Sequence, residues 1–421
     1  MKVKSLLLSM CAVAALAGCS QNDDEISGVG SNAPEAKVVI KVEGTGNQPG
    51  SRAAGLPGND ELSTKNGKVN DLTIFVFNGS GNVIAKKYFG TPAAGANEVA
   101  TTTDAKEVAV VTNTGDQTGA GNLFATVSSK SALKAVLADM FQNPDDPAGA
   151  VSQKDDNVYM SGTGTVDGFT DENGTMKASV TVPLKYLAAR VQLKSISFNG
   201  KEVADNKYVQ ESLFESTADA NFTITRVYLM NVQRATHFLP ATDGGSDYMT
   251  QGDKIFAGGV AWTAPWGDIN NKPNGYASNN EYTIEASGEN FKAVENSISG
   301  IGHWYTFANT GVSEIANHPT ALVVEVKWRK TMTNEGAGIS KEDQTLYFTT
   351  YFGGGDQDEL EPGKVYTVNI KLNGNFKPSD NGGSGGGGTE DPTKPTVNSA
   401  IEVTVTPADW VVLPDIDKEW T

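Results

Sequence analysis

The feature that most restricts this chain's fold is a recurring alternation of β-branched and polar residues in short runs, separated by glycine- and asparagine-rich turns. Val38, Ile40 and Val42 fall on one face at period two, with Lys41 and Glu43 opposite. That is the pattern of a half-buried strand. Asp71–Asn78 reads as a second strand, Asn78–Asn82 as a tight turn, and Val83–Phe89 as its return. Glu107–Asn113 follows, and Met176–Asn199 is a long strand-like stretch with Pro183 near its middle. Later strands are expected at Phe222–Val232, Tyr282–Ala286, Trp304–Asn309, Ala321–Trp328, Leu346–Phe352 and Val365–Leu372. The clearest helix is Ser128–Asn143, where Leu133, Val136, Leu137, Met140 and Phe141 share one face and Ser128 or Ser129 can cap the start. With 46 glycines and no strand–helix–strand rhythm, the chain is expected to be mainly β. Its length suits two tandem antiparallel β-sandwiches with one or two short helices.

The first residues predict export. Lys2 and Lys4 precede the apolar run Leu6–Leu16, which is too short to span a bilayer as a helix. The run ends Leu16-Ala17-Gly18-Cys19, small residues before a cysteine, as lipoprotein signal peptidase requires. Cys19 is therefore the expected lipidation site, palmitate included, and the precursor is anchored to the outer membrane without spanning it. The alternative is a plain secretory peptide with an incidental cysteine. Cys11 lies in the removed segment, so the mature chain has one cysteine and no disulfide. The formal charge is −17, or −19 once Lys2 and Lys4 are removed. Such a chain repels nucleic acid and anionic membrane surfaces.

Both ends carry a strand attached to something flexible. After Val42 comes the exposed stretch Gly44–Gly55, in which Arg52 stands among small residues and invites proteolysis. Near the other end, the glycine-rich segment 373–399 reads as a flexible linker. It leads to Ile401, Val403 and Val405, three β-branched residues again at period two, and then to Trp410. The two triplets match, so both can fill the same groove. Cutting after Arg52 would release the first strand, and the last strand of a neighbouring copy would take its place. Because donor and acceptor lie at opposite ends, such a contact propagates into a filament of identical subunits. The alternative is that residues 400–413 pair within their own domain.

Enzyme readings find little support. His237, His303 and His318 lack metal-ligand spacing, no nucleophile elbow or phosphate loop occurs, and no cofactor or catalytic residue is expected. A carboxylate pair for glycoside hydrolysis stays open. Trp262, Trp266, Tyr276 and Tyr282 offer a second class of function, a monomeric glycan-binding surface lipoprotein, or else simply cover the core. Asp171-Glu172-Asn173-Gly174 reads as a hairpin turn in preference to a calcium loop. Arg190 is expected to pair with a buried carboxylate.

The chain resembles the fimbrillin family of Bacteroidales, in its major or stalk subunits of type V pili. The resemblance rests on Leu16–Cys19, Val69–Phe77, Tyr159-Met160-Ser161-Gly162, Leu187–Val191, Leu360–Tyr366 and Val403–Trp410, in family order through nearly the whole chain. The acidic run after Cys19 also resembles an export tag of Bacteroidetes surface lipoproteins. The resemblance implies two transthyretin-like sandwiches and an extended C-terminal donor strand. It implies cleavage at Arg52 by a trypsin-like protease, with Lys65 and Lys68 as other candidates. It further implies anchor and tip subunits as partners, and adhesion by an extracellular fimbrium. The expected organisation is a signal peptide at 1–18, a lipidated propeptide with its removable strand at 19–52, sandwiches at 53–186 and 187–372, the linker at 373–399 and the donor strand at 400–421.

Overall fold

The computed structural model describes residues 33–44, 68–93, 97–141, 151–199, 222–245, 247–260, 273, 275–286, 291, 297–334, 338–373, 391–393 and 401–409. Cys19, Arg52, Lys65, Trp262, Trp266 and Trp410 lie outside them. The first half contains β1 (Glu35–Gly44), β2 (Leu72–Asn78), β3 (Val83–Phe89), β4 (Asn97–Thr102), β5 (Ala105–Thr112), α1 (Lys130–Ala135), β6 (Leu137–Asp139), β7 (Met160–Thr165), β8 (Thr170–Glu172) and β9 (Thr175–Tyr186). The second contains β10 (Ala188–Asn199), β11 (Phe222–Met230), β12 (Val232–Gln233), β13 (Ala235–His237), β14 (Phe256–Gly258), β15 (Ala277–Ser278), β16 (Thr283–Glu285), β17 (Ser297–Phe307), β18 (Thr320–Asn334), β19 (Gly338–Phe352), β20 (Lys364–Asn373) and β21 (Ile401–Asp409).

The first half is one sheet in the order β3-β2-β5-β7-β9-β1-β4, with β8 on β9. It folds over where β7 meets β9, because only Met160↔Tyr186 and Ser161↔Lys185 are paired there. Beyond them, a Cβ on Gly162 would collide with the Pro183 carbonyl oxygen, and one on Gly164 would sit 2.6 Å from Val180 Cγ1. Glycine is what lets the two layers approach. β2 is buried on both faces, since the loop that carries Phe124 covers one of them, with Phe124 edge-on to Phe75 at 5.3 Å.

The second half packs the sheet β17-β10-β20-β21 with the sheet β16-β11-β18-β19. Pairing is antiparallel except at β1–β9, β10–β20 and the short β14–β15. A parallel return needs a long crossover, and the whole of β11–β19 lies between β10 and β20. Only Leu187 separates β9 from β10. One apolar cluster runs through both halves. Its bridge is aromatic: Phe124–Phe238, Tyr159–Phe238 and Tyr159–Phe307 stand 5.2, 6.0 and 6.3 Å apart.

The expected helix at Ser128–Asn143 is cut short. Ser129 does cap it, accepting from the Ala132 amide at 3.0 Å. Val136 then turns extended, and Leu137–Asp139 pairs with Ala235–His237. Arg234 donates to Asp139 Oδ2 from Nη2 at 2.6 Å and from Nε at 3.1 Å. A partner strand and a charge-assisted fork outweigh the helical preference of Leu137, Ala138 and Met140, since tertiary context overrides propensity. The turns are as expected. Asn78 Oδ1 accepts the Ser80 and Asn82 amides, each at 3.0 Å, and Asn173 and Gly174 take positive φ at the β8–β9 hairpin.

Gly162→Ala is expected to cost roughly 1–3 kcal/mol through forced separation of β7 from β9. Thr163→Ala, at an exposed position of the same strand, serves as the comparison, and urea unfolding of both variants measures the difference.

Candidate functional site: an inner first strand and an edge last strand

β1 enters the sheet between two neighbours. It pairs in parallel with β9 from Ala36↔Met176 to Gly44↔Leu184, and antiparallel with β4 from Glu35↔Thr102 to Ile40↔Asn97. Val38 and Ile40 are 0% exposed and Val42 is 3% exposed. Two groups at the two ends of β4 fasten β1. Buried Asn97 donates its side-chain amide to the Ile40 carbonyl at 3.4 Å, and the Thr103 amide donates to Pro34 O at 3.0 Å. Lys37 and Glu98 form an ion pair on the outer face. Nothing in the alternation of residues 35–44 distinguishes an inner strand from an edge, and Asn97 was not singled out from sequence.

Among the described residues β21 is held from one side only. It pairs antiparallel with β20 from Lys364↔Asp409 to Leu372↔Ile401 and forms the sheet's edge. Val403 and Val405 are half-buried against the main core. The segment leading to β21 is tethered in turn. Thr349 donates its hydroxyl to Pro392 O, and Tyr351 donates its hydroxyl to Thr393 O, both at 2.8 Å. Asp391 Oδ1 accepts the Thr393 amide at 2.9 Å. Residues 391–393, expected within a flexible linker, thus lie against β19. Their Asp-Pro-Thr sequence was the available signal.

Arg190 departs from expectation. It is 2% exposed, yet Nε and Nη2 have no hydrogen-bond partner. Asp155 accepts instead from Tyr305 Oη at 2.7 Å and meets His303 Nε2 at 2.9 Å. The guanidinium lies 6.0 Å from the Tyr305 ring centroid. Burial lowers its pKa, with Tyr305 and Asp155 acting against that at a distance. Burial works against the Asp155 charge, but the bonds from Tyr305 and His303 win and hold its pKa below the usual carboxylate value. Tyr282 is buried and Tyr276 donates to Val260 O at 2.8 Å, so both serve the interior. Among the described residues no cluster of His, Cys, Asp and Glu is suited to a metal ion.

Two results are expected. In the intact chain Ile40→Ala costs roughly 2–5 kcal/mol and Val403→Ala about 1 kcal/mol, because one strand is enclosed and the other is half-covered; chemical denaturation reads both. Burial and the Arg190 charge lower the His303 pKa, with Asp155 opposing them. A folded pKa below the unfolded value, about 6.5, favours the folded state above that pH and loses the advantage as pH falls through the folded pKa. The thermal midpoint should drop on acidification below about pH 6.5, and less steeply in His303→Gln.

The comparisons with known proteins agree with this architecture. Residues 36–206 match the sequence model of the major fimbrial subunit protein FimA, and residues 227–410 match that of the FimA-like major fimbrial subunit protein C-terminal domain. A crystal structure from Bacteroides eggerthii assigned to cell adhesion is 27% identical, with a TM-score of 0.63 over 91% of this chain and 99% of that one. A fimbrilin from Porphyromonas gingivalis is 15% identical, with a TM-score of 0.56 over 90% and 99%, and shares the fold. No curated protein matches the chain. With both family models matched in order along most of its length, the chain belongs to the fimbrillin family of major fimbrial subunit proteins and is a pilus subunit.

Proposed function

We propose that this pilus subunit is exported as a lipoprotein acylated at Cys19, is cut after Arg52 by a trypsin-like protease, and polymerises when the last strand of one copy replaces β1 of the next. The observation that carries the reading is the contrast between the two terminal strands. β1 fills the core between β9 and β4, and the segment that ties it to β2 contains Arg52. β21 carries the same triplet spacing but is bound along one edge.

The energetics favour the exchange. Removing β1 opens an apolar slot lined by unpaired backbone groups of β9 and β4, an unstable surface. Refilling it buries three or more apolar side chains, at roughly 1.5–3 kcal/mol each. Of the donor's described side chains, Val403 and Val405 give up half-buried contacts at its own edge. Ordering and association take back part of the gain, but an enclosed strand leaves slowly, so the filament is kinetically stable. The contact is heterologous and open-ended. Carrying both a cut site and a donor strand suits a stalk subunit, with anchor and tip subunits as partners.

The pairing of β21 with its own β20 favours a second reading, a surface lipoprotein that stays monomeric and binds glycan. The two readings part in one assay. The chain from residue 20 is treated with low-dose trypsin and run unboiled on a denaturing gel, beside a chain ending at Gly388 and an Arg52→Ala variant. Strand exchange predicts a ladder with a new N-terminus at Ala53, absent from both controls. A trimmed monomer whose last strand resists protease would overturn strand exchange and make the second reading the leading one.

A further inference from the structure

The outer face of the sheet β17-β10-β20-β21 carries a cavity of about 320 Å³. Its floor follows from strand register. Arg190 pairs with Tyr305 and Gln192 with His303, so these four side chains share the face opposite Val191 and Leu193, which are fully buried in the core. The register slips between Leu193 and Ser195, and Gly300 takes a φ of 63° nearby. A Cβ on Gly300 would meet nothing within 4 Å, so the irregularity leaves room on this side of the sheet. Arg190, Gln192, Lys194, Ser299, Gly300 and His303 line the space.

The lining has one sign of charge. It contributes a guanidinium and an ammonium and no carboxylate, in a chain whose net charge is −17. Asp155 acts on Arg190 from a distance but makes no hydrogen bond to its Nε or Nη2, and its Oδ1 is engaged by Tyr305 and His303. The lining is also short of partners. Arg190 Nε and Nη2 lack acceptors, and Gln192 Oε1 lacks a donor. Unmet hydrogen bonds at buried polar atoms are costly, and most for a charged group. A guanidinium fork matches a carboxylate in geometry as well as charge. The Gln192 acceptor calls in addition for an O–H or N–H on the same ligand. The volume is at the small end of ligand sites, suited to one sugar ring.

From these observations we propose that the cavity binds a sugar acid, its carboxylate on Arg190 with help from Lys194 and a hydroxyl or amide hydrogen donated to Gln192. The Arg190 fork turns outward from the Tyr305 face to meet it. The site is distinct from both strand-exchange elements and does not depend on how subunits join.

The test uses the chain from residue 20, uncut, with methyl glucuronide, N-acetylneuraminic acid, acetate and the neutral methyl glucoside as probes, read by ligand-observed NMR and calorimetry. The expected result is binding of one or both sugar acids that weakens with added salt, at least about tenfold tighter than acetate or the neutral glucoside, the equivalent of one charged hydrogen bond. Lys194→Glu and Gln192→Leu, at an exposed and a half-buried position, should keep the fold and each weaken sugar-acid binding severalfold. Arg190→Met should abolish it, with circular dichroism checking the fold. Equal binding of acid and neutral sugar, acetate as tight as the sugar acids, no binding at millimolar concentration, or full binding in the folded Lys194→Glu and Gln192→Leu variants would overturn the assignment.

Discussion

Everything in the first sandwich depends on a strand that arrives first in the chain and sits in the interior of the sheet. β1 is hydrogen-bonded on both sides, parallel to β9 and antiparallel to β4, and its three inward side chains are sealed in the core. An inner strand cannot be lost without leaving two rows of unpaired backbone groups. The second sandwich repeats the arrangement. β10, its first strand, lies parallel to the late strand β20 and antiparallel to β17. In each half, the opening strand is closed in by strands made later. The difference is covalent: β10 is continuous with β9 through Leu187, whereas β1 joins the rest through residues 45–71.

The two halves are bound by more than that junction. Phe124, Phe238, Tyr159 and Phe307 hand contacts from one core to the other. The Asp139–Arg234 fork and the β6–β13 pairing fasten the same seam. This polar seam is why the segment after α1 abandons helix. A stripe of apolar residues at helical spacing records only that these residues face a core; it does not say which backbone will satisfy their amides.

Much of the β architecture was legible because alternation and turn chemistry are local. The hairpin after β2 and the Asn173–Gly174 turn follow from residues within a few positions of each other. The order of strands in the sheets was not legible, since β1 and β9 meet across more than a hundred residues with no local sign of their partner. Val38, Ile40 and Val42 announced a buried face but not an interior berth. Val403 and Val405 announced a similar face and proved to be only half-covered. Arg190 illustrates the same limit: a strand arginine predicts a carboxylate, but Asp155 reached the Tyr305 hydroxyl and His303 instead.

The single-residue junction at Leu187 has a mechanical consequence. With one residue between β9 and β10 and one apolar cluster through both halves, that junction offers little slack to absorb bending. A pilus assembled from such units behaves as a string of stiff bars. Its compliance is concentrated at the joints, so the fibre's persistence is set there and not by the stability of the bars themselves.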